Sequence, residues 1–226
     1  VRYAYTVATS GRPGPVLLDV PEDICHGVFE FEADDLFVDE STITSPAVRT
    51  RPSVEDIKKT ASILSKAKKP IILAGGGVHI SQAQEALSAL ATEQSIPVAH
   101  TLSGKGSIAC TDKLSLGLFG RYDRTANQVI DNSDCILVVG CKLGEIATKR
   151  YTIPRPGIPI IHLDIHPEEI SRWAKTDIRL WGDARESLNE LREALSSTSE
   201  NTRKERSSYI NELIEGNNKC RADVKT

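Results

Sequence analysis

Residues 135–140 read CILVVG, and this stretch decides the fold. Its side chains are apolar without interruption, so it lacks the alternation of apolar and polar residues that marks a half-exposed strand. A strand that is apolar on both faces is typical of a parallel sheet with helices on both sides. A second run of this kind, IILA at 71–74, ends in Gly75-Gly76-Gly77.

Further strands and helices alternate on either side of these two runs. Three more short strands are predicted, at 97–101, 159–164 and 178–181. Helices are predicted from apolar residues at helical spacing, at 53–64, 81–93, 124–132, 167–172 and 184–195. Alternating strands and helices predict the α/β fold class with a doubly wound parallel sheet.

The composition indicates a soluble globular protein. The chain has 226 residues, of which 39% are hydrophobic and 26% charged, and its net charge is −3. No basic field would recruit nucleic acid, and no apolar run approaches the roughly 20 residues that span a membrane. The five cysteines form no C-x-x-C pair, so we expect buried free thiols and a cytoplasmic location.

The amino-terminal part reads as the end of another domain. A Gly/Pro turn in GRPGPVLLDVPEDI (11–24) leads into a predicted strand at 16–20, and a parallel strand needs partners. The chain contains no methionine, so we interpret it as a piece of a longer protein. The predicted divisions are the tail of a preceding domain, a linker, an α/β domain and a helical linker, at 1–25, 26–52, 53–196 and 197–226.

Glycines and carboxylates gather where the predicted strands end. In an open α/β sheet, ligands bind beyond the carboxyl ends of the strands, and glycines there allow close approach of phosphate to the backbone. Asp164 ends one predicted strand and Asp183 follows another, and both are candidate acceptors for ribose hydroxyls. These ends predict a cleft for an ADP-containing ligand. In the alternative interpretation, the glycines only permit tight turns.

The sequence lacks the common motifs for dinucleotide binding, nucleophilic catalysis and zinc binding. Neither G-x-G-x-x-G in a strand-to-helix turn nor a P-loop is present, so an NAD-dependent dehydrogenase is a weak hypothesis. No nucleophile elbow or zinc-like ligand spacing occurs, so we predict no catalytic residue and no metal site in this chain. Histidines near the strand ends are expected to be hydrogen-bonded polar residues, namely His79, His100, His162 and His166.

A series of stretches resembles the thiamine diphosphate-dependent enzymes, most closely the acetolactate synthase-like group. They cover essentially residues 1–196 and read GRPGPVLLDVPEDI, KKPIILAGGGV, IPVAHTLSGKGS, LGLFGRYDRTAN, SDCILVVGCKLGEIAT, IIHLDIHPEEI and GDARESLNEL. The family has three α/β domains. The first binds the cofactor's pyrimidine and supplies a catalytic glutamate, and the last binds diphosphate and Mg²⁺. The middle one is Rossmann-like and binds FAD or ADP in several members.

The resemblance implies that this chain holds the tail of the first domain, the linker and the middle domain. The parent would be a thiamine diphosphate- and Mg²⁺-dependent transferase or lyase that acts on a 2-oxo acid or a related carbonyl compound. It would form a homodimer or homotetramer, and the isolated chain would be inactive without the pyrimidine- and diphosphate-binding domains. The alternative is a non-catalytic ADP- or FAD-binding or scaffold module.

The resemblance also implies a set of cofactor-binding residues. They are Arg12, Gly75, Gly76, Gly77, Thr101, Leu102, Gly104, Gly120, Lys142, Leu143, Asp164, Ile165, Gly182 and Asp183. A charged cluster after Gly120, made of Arg121, Asp123 and Arg124, either contacts a ligand phosphate or is solvated. Lys142-Leu143-Gly144-Glu145 stands where FAD-binding acetolactate synthases carry an Arg-Phe-Asp-Asp-like stretch. Lysine lacks the planar fork of arginine, so FAD, ADP and no nucleotide all stay open.

Overall fold

The computed structural model describes residues 1–37, 39–122 and 125–223, with side chains of the last helix described as far as residue 213. Asp123 and Arg124 of the predicted charged cluster lie outside the described residues. The chain divides into two compact units, unit 1 at 1–49 and unit 2 at 50–226. The four divisions expected from the sequence stay predictions.

Unit 1 is built from short helices. Helix α1 spans Arg2–Thr9 and α2 spans Glu22–His26, and two 3-10 helices span Ala33–Leu36 and Glu40–Thr42. The Arg2 guanidinium donates to the Asp35 carbonyl at 2.8 Å and lies 4.0 Å from the centre of the Phe37 ring.

The strand predicted at 16–20 does not form within unit 1. The stretch is exposed and is not assigned to a strand, because no described part of unit 1 offers it a partner for hydrogen bonding.

Unit 2 contains the sheet and six further helices in the described part of the chain. Its elements are α3 (Val54–Lys66), β1 (Pro70–Ala74), α4 (Gly77–Ile80), α5 (Gln84–Gln94), β2 (Val98–His100), β3 (Ser115–Leu118), α6 (Thr125–Asp131), β4 (Cys135–Val139), β5 (Ile160–Asp164), β6 (Ile178–Trp181), α7 (Ala184–Ala194) and α8 (Glu200–Asp223). None of the described helices is long and apolar enough to cross a membrane.

The six strands form one parallel sheet in the order β3-β2-β1-β4-β5-β6. This order confirms the α/β fold class with a doubly wound parallel sheet. The two apolar runs of the sequence are the central pair, with Pro70 opposite Cys135 and Ala74 opposite Val139, and every residue of both strands is buried.

Two details differ from the expectation. Strand β3 was not predicted, because SLGL is a short, half-buried edge strand with a glycine and little β-branched character. The helix predicted at 167–172 is wrong, since that segment makes only isolated turns. Glu169 N bonds to His166 O and Ile170 N to Pro167 O, and no regular helix follows.

Two apolar layers cover the faces of the sheet. Layer 1 is the apolar cluster that contains Ile72, and layer 2 is the cluster on the other face that contains Ile71. Alternate residues of each central strand belong to different layers. Helices α3, α5 and α7 contribute to layer 1, and α6 contributes to layer 2. Burial on both faces is the physical reason for the uninterrupted apolar runs.

Helix α8 packs at the amino-terminal edge of the sheet. The guanidinium of Arg206, only 1% exposed, donates to the carbonyls of Leu64, Ala67 and Gln94 at the ends of α3 and α5. Ile210, one turn later, enters layer 1. The opposite, carboxyl-terminal edge of the sheet is formed by the loops that follow the strands. A ligand cleft at this edge stays a prediction.

Candidate functional site

Strands β1 and β4 are neighbours at the centre of the sheet. From β1 the chain adds strands toward one edge, and from β4 it adds them toward the other. Ligands of such folds usually bind in the crevice at this switch point. Here the loops after the two strands touch. Gly77 N bonds to Gly140 O at 3.0 Å, and a Cβ atom on Gly75 would lie 2.2 Å from the same oxygen. These glycines are therefore required for contact between the two loops with or without a ligand. Their contact with a cofactor stays a prediction.

The loop after β2 lies beside the loop after β1. Thr101 N bonds to Ala74 O at 2.9 Å, and the Thr101 hydroxyl accepts from Gly104 N at 3.1 Å. A Cβ on Gly104 would lie 2.3 Å from Ala74 O, while one on Gly76 would lie 3.1 Å from the Ser103 Cβ. Leu102 is exposed at the tip of this loop. The structure thus brings together the predicted residues of both loops.

Gly120 follows β3 and has φ +101°, and a Cβ there would lie 2.6 Å from Ile146 O. The buried Asn127 side chain holds this turn. Its Oδ1 accepts from Gly120 N at 2.8 Å, and its Nδ2 donates to the carbonyls of Gly120 and Tyr122. The sequence reasoning missed Asn127. The sequence signal for it was the position of the Asn127 amide between the apolar helix residues Ala126 and Val129.

Two cations share one carboxylate beside the loop after β4. The Lys142 ammonium lies 3.7 Å from Glu169 Oε1, and the Arg172 guanidinium lies 3.3 Å from Oε2. Glu169 is buried, whereas both cationic side chains are about half exposed. Lys142 and Arg172 thus place two cationic side chains at the surface beside this loop, which suits an anion. Leu143 is buried in layer 2 and can offer a ligand mainly its backbone.

Asp164 ends β5 with its side chain at the carboxyl edge. It is 8% exposed, and its Oδ1 accepts from His166 N at 2.9 Å. Among the described residues, no protein group donates a hydrogen bond to its Oδ2. Burial raises the pKa of Asp164, while the His166 amide and the nearby His162 act in the opposite direction.

His162 lies two residues earlier on the same face of β5. Its Nε2 donates to the Cys141 carbonyl at 3.0 Å, and burial lowers its pKa. This contact confirms the expected structural role of His162. His79 and His100 also make hydrogen bonds, whereas Nδ1 of His166 is buried without a partner in the described structure.

Trp181 is the residue opposite Asp164 in the β5–β6 pairing. Its indole Nε1 donates to the carbonyl of Ile165 at 3.0 Å, and the side chain is nevertheless 57% exposed. The backbone of Gly182 then bonds to Asp164 O at 3.1 Å. Trp181 was not among the predicted site residues, although an aromatic residue directly before Gly182-Asp183 was a visible signal.

Asp183 is held within the fold. Its Oδ1 caps α7 by accepting from Glu186 N at 3.2 Å, and its Oδ2 accepts from the Ser81 hydroxyl at 2.7 Å. A Cβ on Gly182 would lie 2.7 Å from Pro52 Cδ. These contacts give both residues structural roles, and their contact with a ribose stays a prediction.

Arg12 belongs to unit 1, where it follows Gly11, a residue with φ +59°. Its predicted contact with nucleotide phosphates therefore stays a prediction.

The cysteines and potential metal ligands show no reactive grouping in the described part of the chain. Cys25, Cys110, Cys135 and Cys141 are free thiols, as expected, but the first two are exposed rather than buried. Burial raises the pKa of Cys135 and of Cys141 to about 12, so both thiols are protonated at neutral pH. No group of three or more described His, Cys, Asp or Glu side chains could hold a metal ion.

Comparisons with known proteins agree with this architecture. Residues 57–191 match the family described as thiamine pyrophosphate enzyme, central domain. The chain is 36% identical over 197 residues to a probable acetolactate synthase large subunit of Methanocaldococcus jannaschii, covering 86% of this chain and 33% of the relative. It is 30% identical over 200 residues to the acetolactate synthase isozyme 3 large subunit of Escherichia coli, covering 88% and 34%. The chain thus spans about one third of the length of these curated relatives.

Proposed function

Because this chain belongs to the family of thiamine pyrophosphate enzyme central domains, we propose that it is the nucleotide-binding middle part of an acetolactate synthase-like enzyme. The whole enzyme would decarboxylate a 2-oxo acid and join the remaining carbon unit to an acceptor. Thiamine diphosphate supplies the carbanion stabilisation that such chemistry needs. The similarity to acetolactate synthase large subunits over most of the chain supports this assignment.

In this proposal the reacting groups lie in other domains of the whole protein. The described residues offer no cluster for Mg²⁺, so we assign Mg²⁺ and thiamine diphosphate to the pyrimidine- and diphosphate-binding domains. The whole enzyme is proposed to be a transferase or lyase of the cytoplasm that assembles as a homodimer or homotetramer.

The ligand that fits the central domain best is the ADP moiety. The observation that carries this proposal is the unused Oδ2 of Asp164, which can accept a hydrogen bond from a ribose hydroxyl. Burial, and to a smaller extent the charge of Glu169, raise the pKa of Asp164. The same Glu169 carboxylate holds Lys142 and Arg172. The two cations suit a diphosphate, and the unpartnered Nδ1 of His166 offers a further polar contact.

The chain's own part in the enzyme is binding and orientation. The proposed contacts of the nucleotide in unit 2 are Gly75, Gly76, Gly77, Thr101, Leu102, Gly104, Gly120, Lys142, Leu143, Asp164, Ile165, Gly182 and Asp183. A phosphate contact of Arg12, in unit 1, is a separate proposal. Nothing among the described residues selects FAD over ADP, so the proposal is limited to the part that the two share.

A scaffold without any ligand is the second candidate. The direct contact between the loops after β1 and β4 favours it, because that contact already explains the glycines Gly75, Gly77 and Gly140. The two candidates differ in one measurable property, which is whether the folded chain binds a nucleotide.

Calorimetric titration of the 226-residue chain with ADP decides between them. We expect saturable binding that Asp164→Asn weakens about tenfold, since hydrogen bonds to charged groups contribute about 1.5–3 kcal/mol. Asp177→Asn is the matched control, because Asp177 accepts from Ile160 N at the opposite end of β5. Absence of binding at millimolar ADP would favour the scaffold, and a parallel titration with FAD would test the larger cofactor.

The activity of the whole enzyme needs a separate experiment on the full-length protein. We expect turnover of pyruvate that requires both thiamine diphosphate and Mg²⁺. A full-length protein that binds both and leaves pyruvate and other 2-oxo acids unchanged would contradict the proposed reaction.

A further inference from the structure

We propose that Trp181 is the stacking surface for the base of a purine nucleoside diphosphate whose ribose is held by Asp164. The inference rests on the proposed function and extends it to recognition of the base. It starts from two residues that are adjacent across the sheet, Asp164 on β5 and Trp181 on β6.

The two side chains lie on the same face of the sheet. Along β6, Ile178 and Leu180 point into layer 1, whereas Arg179 and Trp181 alternate with them and lie on the other face. Paired residues of neighbouring parallel strands point to the same side, so the indole stands next to the Asp164 carboxylate. A base attached to a ribose at Asp164 would lie within reach of this ring.

The indole is fixed in position as well as exposed. Its Nε1 bonds to the Ile165 carbonyl at 3.0 Å, on the residue that follows Asp164. An exposed aromatic side chain by itself needs no explanation. An indole that is already ordered, more than half exposed and adjacent to an available carboxylate oxygen loses little conformational freedom when a base stacks on it.

Stacking on the indole would recognise the base by its area, because every base offers a face to an aromatic ring. The two-ring purines cover more of the indole than a pyrimidine does. ADP and GDP should therefore bind with similar affinity and UDP more weakly.

The second tryptophan of the chain provides a matched control. Trp173 is 48% exposed, but its ring stacks on Tyr151 with centroids 4.8 Å apart, and the Arg172 guanidinium lies 5.1 Å from its centre. Its contacts are thus made within the protein. Since the sequence holds two tryptophans, each single substitution leaves one indole to report on binding.

The test combines fluorescence with calorimetry on the 226-residue chain. In Trp173→Phe, ADP should quench the remaining Trp181 emission with the same dissociation constant that calorimetry gives. In Trp181→Phe, the remaining Trp173 emission should change less than that of Trp181, because Trp173 stacks on Tyr151 and would meet the ligand only through Arg172. Trp181→Leu should weaken ADP about tenfold and leave the affinity for ribose 5-phosphate unchanged, because that probe has no base.

The outcomes separate this inference from the proposed function. If the unsubstituted chain binds ADP and Trp181→Leu binds it equally well, Trp181 is no stacking surface, although the nucleotide site stands. If the unsubstituted chain binds no ADP, both fail. Should Trp181→Leu not fold, the quenching of Trp173→Phe decides: saturable quenching supports the inference, and binding without quenching overturns it.

Discussion

Ser81 and Asp183 are 102 residues apart in sequence and are joined by a buried hydrogen bond of 2.7 Å. The serine hydroxyl also accepts from Arg185 N at 2.9 Å, so this pair ties the residue after α4 to the first turn of α7. We expect Ser81→Ala to lower the free energy of unfolding by about 1–3 kcal/mol, since it removes the hydroxyl that joins Asp183 Oδ2 to Arg185 N.

A double-mutant cycle with Asp183→Ala measures the coupling in urea unfolding. The pair should show a coupling of about 1 kcal/mol, and strictly additive losses would contradict the buried bond. Ser53→Ala is the control, because Ser53 caps α3 from an exposed position and should cost less.

The contact between Gly75 and Gly140 predicts a large effect from one methyl group. A Cβ on Gly75 would lie 2.2 Å from a backbone oxygen, which cannot move away as a flexible side chain would. Gly75→Ala should therefore cost about 3 kcal/mol in urea unfolding. Gly144→Ala has open space and should change stability by less than about 0.5 kcal/mol. Equal effects of the two substitutions would argue against the close packing of these loops.

Burial of His162 predicts a pH dependence of stability. Its folded pKa is lowered, whereas in the unfolded chain it titrates near about 6.5. Between these values the unfolded chain binds more protons, so the free energy of unfolding falls as the pH is lowered from about 6.5, by at most about 1.4 kcal/mol per unit. The raised pKa of Asp164 acts in the opposite sense, because there the folded chain binds more protons.

Urea unfolding of wild-type and His162→Gln chains between pH 7.5 and 5 isolates this effect. The glutamine amide can still donate to Cys141 O, but it does not titrate. The decline toward low pH should be shallower in His162→Gln, and identical profiles would show that another group causes it.

The buried guanidinium of Arg206 predicts that α8 depends on a single side chain. Arg206→Met should lower the free energy of unfolding by at least about 2 kcal/mol, because three carbonyls lose a charged donor. It should also speed hydrogen exchange in α8 relative to β1. Lys204→Met, on the exposed side of the same helix, should do neither. Unchanged exchange in Arg206→Met would indicate that the apolar contacts of Ile210 suffice.

Much of the fold was predictable because a strand buried on both faces has an uninterrupted apolar sequence. The apolar runs at 71–74 and 135–140 could be placed in a parallel sheet without any structure. Strand β3 has no such apolar run, since it is short and only half buried. The segment at 16–20 has the composition of a strand, but hydrogen bonding to a partner decides whether a strand forms.

The candidate site was less predictable, because register and packing are not local properties. Asp164 ends β5 and Asp183 follows β6, yet their hydrogen bonds differ. The oxygens of Asp183 accept from Ser81 and Glu186, whereas Oδ2 of Asp164 accepts from no described residue. Trp181 could not be paired with Asp164 from sequence, since their proximity depends on the alignment of β5 with β6.

The position of Arg206 has a mechanical consequence. Its guanidinium bonds at the ends of two different helices, α3 and α5, so tension on the chain beyond residue 206 is shared by both. We expect a load applied from that side to reach the layer that packs on β1 and β4 before α8 detaches. Resistance to such a load would then not depend on the loops that would hold a nucleotide.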